Sequence, residues 1–404
     1  MLPADATSTA RHKTIRTNIR VKPKEGRRAR AGAPWLFSNE IEMSNAAKAL
    51  APGAIVNVLG DDGRVFGTGY FNAKSLIAVR LLDPAADVAI DAGFFVEKLK
   101  RALALRQAIY AAPYYRLVNA EGDGLPGLVI DRFAETCVVQ ITTAGMENQL
   151  TALLAALDKT LKPTNVILRA DAPARALEGL EIYVRAAKGE AARIAVEENS
   201  VRYFADLTSG QKTGWYYDQR DNRAFMAHLA GGKSVLDAYC YTGGFALAAA
   251  RGGAREVAGL DSSAPALALA EDAAAANALP GNFVKADVFE ELERLWSAKQ
   301  SFDVVLADPP PFVKAKKDLE VGAKAYRKLA RLAANVTAKD GFLMLASCSH
   351  NIPTERFAAE CASGIARAGR RARLIRQAGA GPDHPLHPML PESAYLKALV
   401  FALD

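Results

Sequence analysis

Cys348 stands between two serines in LMLASCSH (343–350), at the end of a run of Leu, Met and Ala. A thiolate is a strong nucleophile. Methylation at carbon 5 of a pyrimidine needs one, because that carbon is not nucleophilic by itself. Attack on carbon 6 creates an enamine that accepts the methyl group. Methylation of an amine or a hydroxyl needs no thiol. The chain has three other cysteines, at 137, 240 and 361. Cys137 and Cys361 read as small buried residues, the usual fate of an isolated cysteine, and Cys240 mostly so. A second candidate is Asp308, in FDVVLADPPPFV (302–313). Pro309, Pro310 and Pro311 can neither continue a strand nor form a helix interior, so they fix a rigid loop. Rigid carbonyls and one carboxylate suit the Watson–Crick edge of a flat base. The alternative is a plain strand-to-helix turn.

Three further acids end apolar runs: Asp237 in VLDAYCYTGGF (235–245), Asp261 in VAGLD and Asp287 in FVKAD. Gly243 and Gly244 follow the first and open a helix, so a ligand can approach the backbone closely. Asp261, 24 residues after Asp237, is placed to accept hydrogen bonds from a ribose hydroxyl pair. Asp287 is placed to meet an adenine amino group. Together the acids describe an adenosine-bearing ligand. The pyrophosphate fingerprint GxGxxG is absent from this first loop, which favours S-adenosylmethionine over NAD. Each acid alone is equally a helix N-cap.

The elements that must position these residues alternate between short apolar strands and helices. Strands are expected at 234–239, 255–261, 282–287, 302–308 and 341–347, with two late ones at 371–377 and 395–403. Runs apolar on both faces between helices predict a parallel sheet covered on both sides. Ligands bind at the carboxyl ends of such strands, so Asp237, Asp261, Asp287, Asp308 and Cys348 are expected to line one crevice. Upstream, short strands at 54–59, 64–71 and 77–82 around the DDG turn (61–63) predict a small all-β barrel. Trp35, Phe37 and Phe71 lie in or near its basic lead-in, as an RNA clamp or as barrel core. Between them, about 93–195 reads as α+β: helices at 94–111 and 146–161, and strands within 115–133, at 137–143 and at 165–171. The acids of AEGDG (120–124) read as turn residues. The expected domains are a basic tail at 1–16, then 17–92, 93–197 and 198–404.

Composition agrees. A chain of 404 residues holds two or three domains at roughly 100–200 residues each. No apolar run reaches the ~18 residues that span a bilayer, and no apolar stretch follows the basic start to make a secretory signal. An organelle transit peptide is the minor alternative. Isolated cysteines without a CxxC pair suit a reducing cytoplasm and argue against structural zinc, and five scattered histidines add no metal signature. Residues 1–30 hold nine Lys/Arg and two acids, which equals the whole net charge of +7. That basicity suits a phosphate backbone, the alternative being a solvated tail.

With these motifs, the chain resembles the RlmI family of bacterial ribosomal RNA large-subunit cytosine-5 methyltransferases, class I S-adenosylmethionine-dependent enzymes. The resemblance rests on GDGLPGLVIDRF (122–133), QKTGWYYDQRDNR (211–223), YTGGFA (241–246), DPPPFV (308–313), SCS (347–349) and DHPLHPMLPESAYLK (383–397). It covers nearly the whole chain from about residue 17. It implies an N-terminal PUA domain, a central α+β domain and a C-terminal Rossmann-like methyltransferase domain. By resemblance Cys348 is the nucleophile and Asp308 orients the cytosine. Asp237, the turn Tyr239, Tyr241, Thr242, Gly243 and Gly244, Asp261 and Asp287 bind the cofactor. Gln211, Lys212 and Arg220 close over cofactor or RNA. RNA binding falls to Arg27, Arg28, Trp35, Phe37 and Lys314. Two departures stand out: Tyr239 and Tyr241 occupy glycine positions of the common first loop, and Pro311 stands where a Lys is frequent. The base that removes the carbon-5 proton is not legible. The expected partner is large-subunit ribosomal RNA, with no membrane and with a homodimer left open. Rival readings are methylation of uracil or an exocyclic amine, and a non-catalytic RNA-binding assembly factor.

Overall fold

The structure is a computed structural model and describes residues 16–190, 192–210 and 213–404. The expected tail, save Arg16, lies outside the described residues. The chain folds into two compact units. The first runs to Ala111 and from Arg116 to Glu190, with Pro385–Leu390; the second holds Ala112–Tyr115, Ala191–His384 and Pro391–Asp404.

In the first unit, β1 (Asn18–Arg20), β2 (Trp35–Phe37), β3 (Ala54–Leu59), β4 (Val65–Phe71) and β5 (Ile77–Asp83) form a sheet of order β1-β3-β4-β5-β2. A bridge between Val21 and Ile41 links the chain beyond its two edge strands. The bonds Lys22 N–H to Glu40 O (2.8 Å) and Glu42 N–H to Arg20 O (2.9 Å) strengthen that seam, so the sheet closes on itself. Inside lie Ile19, Val21, Leu36, Ile41, Val56, Val58, Phe71 and Val79, each worth ~1.5–3 kcal/mol when fully buried. Helix α1 (Arg27–Arg30) and the Ser44-capped α2 (Asn45–Lys48) complete this part. The basic lead-in is therefore not a loose arm. Arg20, Lys22, Lys24, Arg27, Arg28 and Arg30 all lie on or beside β1 and α1.

The chain continues with α3 (Ala92–Ile109), β6 (Tyr114–Asn119), β7 (Leu128–Phe133), β8 (Thr136–Ile141), α4 (Ala144–Asn148), α5 (Leu150–Leu161), β9 (Asn165–Ala170), α6 (Ala174–Leu177) and β10 (Tyr183–Lys188). Their sheet has the order β10-β9-β8-β7-β6. The single helix expected over 146–161 is broken at Gln149. The short α4 packs so closely on the Tyr70 ring that a Cβ on Gly145 would sit 2.0 Å from it. The acids of AEGDG do structural work: Asp123 pairs with the buried Arg106, and Glu121 accepts from the Trp35 indole at 2.9 Å. Trp35 is half-buried there, as is Phe37.

The second unit opens with a hairpin, β11 (Arg193–Glu198) and β12 (Val201–Asp206). Asn199 and Ser200 both have positive φ, the turn chemistry of a two-residue hairpin. Then come α7 (Arg220–Leu229), β13 (Ser234–Ala238), α8 (Gly244–Arg251), β14 (Glu256–Asp261), α9 (Ala264–Asn277), β15 (Asn282–Lys285) and α10 (Val288–Ser297). They are followed by β16 (Phe302–Ala307), α11 (Leu319–Val336), β17 (Thr337–Ser347), α12 (Thr354–Arg367), β18 (Ala372–Ala378) and β19 (Lys397–Leu403). The order is β15-β14-β13-β16-β17-β19-β18, with β15 to β17 mutually parallel and β19 antiparallel to both neighbours. Alternate strand residues feed two cores. Leu236, Val305, Leu343 and Phe401 pack with Leu292, Leu329 and Phe357. Val235, Val304, Met344 and Val400 pack with Met226 and Phe245. Among the described residues no helix is long and apolar enough to cross a membrane, and no group of three His, Cys, Asp or Glu is placed to hold a metal.

Candidate active site

Strand order reverses between β13 and β16, and a crevice opens at such a switch point. A cavity of about 220 Å³ lies there, lined among others by Tyr216, Asp218, Gln219, Tyr241, Asp261, Asp308 and Cys348. Four expected residues of the first loop line it as well: Tyr239, Tyr241, Thr242 and Gly244.

The loop keeps the shape of a glycine-rich turn without the glycines. Tyr239 and Tyr241 have φ of 68° and 50°, and Gly243 has 77°. A non-glycine residue there costs roughly 1–3 kcal/mol, so the surroundings must hold it. Cys240 N–H donates to Leu260 O and Gly243 N–H to Cys240 O. Tyr241 N–H donates to Asp261 Oδ2 at 2.9 Å, and its ring meets Tyr216 edge-on. Ser263 N–H occupies Asp261 Oδ1 at 2.8 Å. Asp261 thus braces the loop while facing the cavity.

Asp237 lies beneath the loop, fully buried. Ala246 N–H donates to its Oδ2 at 2.8 Å. Among the described residues its Oδ1 has no partner, and neither has Thr242 Oγ1. Burial pushes the Asp237 carboxyl up to about 8, and the nearby Asp308 and Asp261 charges add to this. Asp287 lies apart. The edge strand β15 stops at Lys285, and Asp287 is exposed and caps α10 through Phe289 N–H and Glu290 N–H.

Strand alternation sets the chemistry of SCS. The Ser347 hydroxyl donates to Tyr326 Oη at 2.7 Å, and Ser349 Oγ lies 3.0 Å from the same phenol. That phenol also accepts from Phe312 N–H, and Ser349 Oγ accepts from Val313 N–H, both at 3.4 Å. The two serines thus fasten the loop that carries Asp308, and Cys348 is left facing the cavity. Cys348 is the half-buried cysteine; the other three are buried. Burial raises the Cys137 thiol to about 12 and pushes Cys240 and Cys361 up as well. Buried Lys397 donates to Ser349 O at 2.6 Å; burial pulls its ammonium below the usual lysine range, and the nearby Cys348 charge works against that.

The segment before α7 supplies residues that sequence reasoning passed over. Gln219 Nε2 donates to Asp308 Oδ2 at 2.8 Å, and Asn222 Nδ2 donates to Gln219 Oε1 at 2.7 Å. Tyr395 Oη donates to Asp218 Oδ2 at 2.6 Å. Buried Glu198 anchors the segment by accepting from Arg223 (2.6 Å), Arg220 (3.2 Å) and the Trp215 indole (3.2 Å). Arg220 is therefore engaged in an ion pair and does not line the cavity, whereas Arg223 does. The i, i+3 spacing of the two arginines was the available signal. Gln211 and Lys212 lie outside the described residues. Lys314 is exposed, and its carbonyl accepts from Asn351.

Comparison with known proteins agrees with this geometry. A PUA-like domain family matches residues 19–84, and an S-adenosylmethionine-dependent methyltransferase family matches residues 184–402. Ribosomal RNA large subunit methyltransferase I of Shewanella denitrificans is 37% identical over 390 residues, covering 95% of this chain and 98% of the relative. That of Photobacterium profundum is 37% identical over 372 residues, covering 90% and 94%. Among solved structures, a putative SAM-dependent methyltransferase from Streptococcus mutans aligns with a TM-score of 0.80 at 20% identity, covering 96% of this chain and all of that one. A putative methyltransferase complexed with SAH aligns at 0.82 and 21% over the same shares. The cofactor of this domain is S-adenosylmethionine, and the site fits it. Unpartnered Asp237 Oδ1 and Thr242 Oγ1 offer polar atoms beside a loop whose left-handed turns bare its backbone, and Asp261 is a carboxylate facing the same cavity. With both domain families matched and relatives aligned almost end to end, the chain belongs to the ribosomal RNA large subunit methyltransferase I family of S-adenosylmethionine-dependent methyltransferases.

Proposed function

We propose that this protein methylates carbon 5 of a cytosine in large-subunit ribosomal RNA through a covalent Cys348 adduct. The observation that carries the reading is one half-buried cysteine facing the same cavity as Asp308 and the cofactor loop. S-adenosylmethionine, when bound, supplies the electrophilic methyl group. Asp237, Tyr239, Tyr241, Thr242, Gly243, Gly244 and Asp261 hold it, and Asp287 remains an expectation from resemblance.

Cys348 Sγ adds to carbon 6 of the base, which makes carbon 5 nucleophilic. Lys397 stabilises the thiolate by charge. Asp308, steadied by Gln219, holds the ring nitrogen edge of the cytosine and supports its protonation. The rigid Pro309–Pro311 turn keeps that carboxylate in place. The PUA-like domain and its basic β1–α1 face, with Arg27 and Arg28, grip the RNA. Four cysteines outside any disulfide suit a reducing cytoplasm.

The test is mass spectrometry of nucleosides from ribosomal RNA incubated with S-adenosylmethionine and either wild type or Cys348→Ala. The expected result is 5-methylcytidine from wild type alone, with at least a ~1,000-fold loss in the variant, the order of removing a nucleophile. A methylated product that survives the substitution would sink the covalent mechanism and move the reading to amine methylation. 5-Methyluridine would move it to uracil.

A further inference from the structure

Covalent attack by Cys348 leaves one chemical task without a residue. After methyl transfer, carbon 5 carries both a methyl group and its original proton, and a base must take that proton. We infer that Asp218 is this base; the assignment rests on the carbon-5 reading above.

Among the described residues, the side-chain carboxylates that line the cavity are those of Asp218, Asp261 and Asp308. Asp261 is turned to the cofactor loop, with both oxygens taken by the amides of Tyr241 and Ser263. Asp308 receives Gln219 and is committed to the ring nitrogen. The tyrosines at 216 and 239 are poor bases, because burial raises both phenols far above neutral pH and keeps them protonated. Cys240 is buried and its thiol is likewise raised. Asp218 remains.

Its placement suits the role. Asp218 is itself buried, and in such a low-dielectric setting its hydrogen bonds are stronger than in water. Tyr395 Oη donates to Oδ2 at 2.6 Å and fixes the plane of the carboxylate. Its carbonyl accepts Gly381 N–H at 3.3 Å, which steadies the main chain. The next residue, Gln219, holds Asp308, so one turn positions two carboxylates. Tyr216 ties the group together: its phenol feels the charges of Asp218, Asp308 and Cys348 at once.

The step balances without a further reactant. An oxygen of the Asp218 carboxylate takes the carbon-5 proton. The C5–H electron pair becomes the C5–C6 double bond. The C6–S bond breaks, and its electrons return to Cys348 as the thiolate. The ring-nitrogen proton returns to Asp308, so the products are neutral 5-methylcytosine and a protonated Asp218, and both carboxyls exchange their protons with solvent before the next cycle.

Two labels test this in the full-length protein. Unmodified large-subunit ribosomal RNA, transcribed with [5-³H]cytidine, reports removal of the proton as tritium in water. S-adenosyl-[methyl-¹⁴C]methionine reports methyl transfer. Wild type should show both in equal amounts over many turnovers, with no lasting adduct. Asp218→Asn keeps the size and the Tyr395 hydrogen bond but removes the basic oxygen. It should transfer about one methyl per enzyme, release at least ~100-fold less tritium, within the range for loss of a general base, and accumulate a ¹⁴C-labelled protein–RNA complex that survives denaturation in SDS. Asp218→Glu, which retains a carboxylate, should restore tritium release in part. Binding of SAH and the melting transition check that each variant is folded.

The assignment is overturned if folded Asp218→Asn releases tritium at the wild-type rate, or if it loses methyl transfer and adduct together while binding SAH. It is overturned as well if Asp218→Asn fails to fold and Asp218→Glu releases no tritium while binding SAH. Failure of the carbon-5 reading looks different. Wild type itself would then yield no 5-methylcytidine and no tritium, and the assignment would fall with it.

Discussion

At the scale of single residues, the site separates carboxylates by what surrounds them. Asp261 accepts two backbone amides, Asp308 a side-chain amide and Asp218 a phenol. Asp237 has one amide and one bare oxygen in a buried setting. Its carboxyl therefore rises to about 8, against ~3.9 in an unfolded chain. Between those two values the unfolded state gives up its proton first, so rising pH favours unfolding. The cofactor-free protein should lose stability from about pH 4 toward pH 8, by up to ~1.4 kcal/mol per pH unit from this group. Asp237→Asn should flatten that decline and raise the stability of the cofactor-free protein at about pH 8, while weakening SAH binding. Urea denaturation at about pH 5 and pH 8, with calorimetric titration of SAH, measures both. An unchanged pH slope in the variant would remove Asp237 as its source.

At the scale of elements, two loops from different strands must be held in one geometry. The β16 end carries Asp308 and the β17 end carries Cys348. Tyr326 on α11 joins them: its phenol meets Ser347 and Ser349 on one side and Phe312 N–H on the other. Misplacing a reacting group by an ångström can cost ~100-fold in rate. Tyr326→Phe removes only the hydroxyl and leaves buried serine oxygens short of a partner. It should cost about 1–3 kcal/mol in stability and lower kcat by about tenfold or more, with SAH affinity unchanged because the cofactor loop lies elsewhere. Thermal melts and single-turnover methylation decide it. A rate at the wild-type level would show that the serines hold the two loops without help. The left-handed Tyr239 and Tyr241 make the same point for the cofactor loop. There, tertiary hydrogen bonds sustain a backbone shape that glycine would adopt without strain.

At the scale of the whole molecule, basic charge is gathered on the PUA-like domain and is part of its fold. Deleting residues 1–30 would remove β1 and α1 and open the barrel seam, so it is not a clean test of electrostatics. Deleting 1–15 removes little net charge. It should leave the salt dependence of RNA binding nearly as it was. Lys24→Gln with Arg27→Gln removes two exposed cations outside the core. That pair should reduce the slope of log K against log salt by about 0.7–0.9 for each phosphate no longer neutralised. Filter binding across roughly 50–300 mM salt reads the slopes. A slope that falls with the 1–15 deletion and not with the double variant would return RNA binding to the tail.

Much of this is legible in the amino-acid order. Strand after strand of the second unit is an apolar run ending near a polar residue, because a doubly covered parallel sheet demands that pattern. Asp261, Asp308 and Cys348 stand out that way, since a strand end in such a sheet is also a crevice position. The tyrosine-for-glycine loop is visible as a departure, but its left-handed backbone is not, because conformation there is imposed by Asp261 and Leu260 from the next strand. Spacing marks Asp287 as a crevice residue; the structure adds that it caps α10 from just beyond the end of the edge strand. Resemblance places Arg220 over cofactor or RNA, and the structure adds its ion pair with a buried Glu198 that no local pattern announces. Asp218, Gln219, Tyr326, Tyr395 and Lys397 come from a turn, a helix and the approach to and start of a late antiparallel strand. Local sequence determines periodicity and strand ends, which are short-range properties. Which distant side chains meet across the cavity was decided by the order of strands in the sheet and by the hydrogen-bond partners that burial makes obligatory.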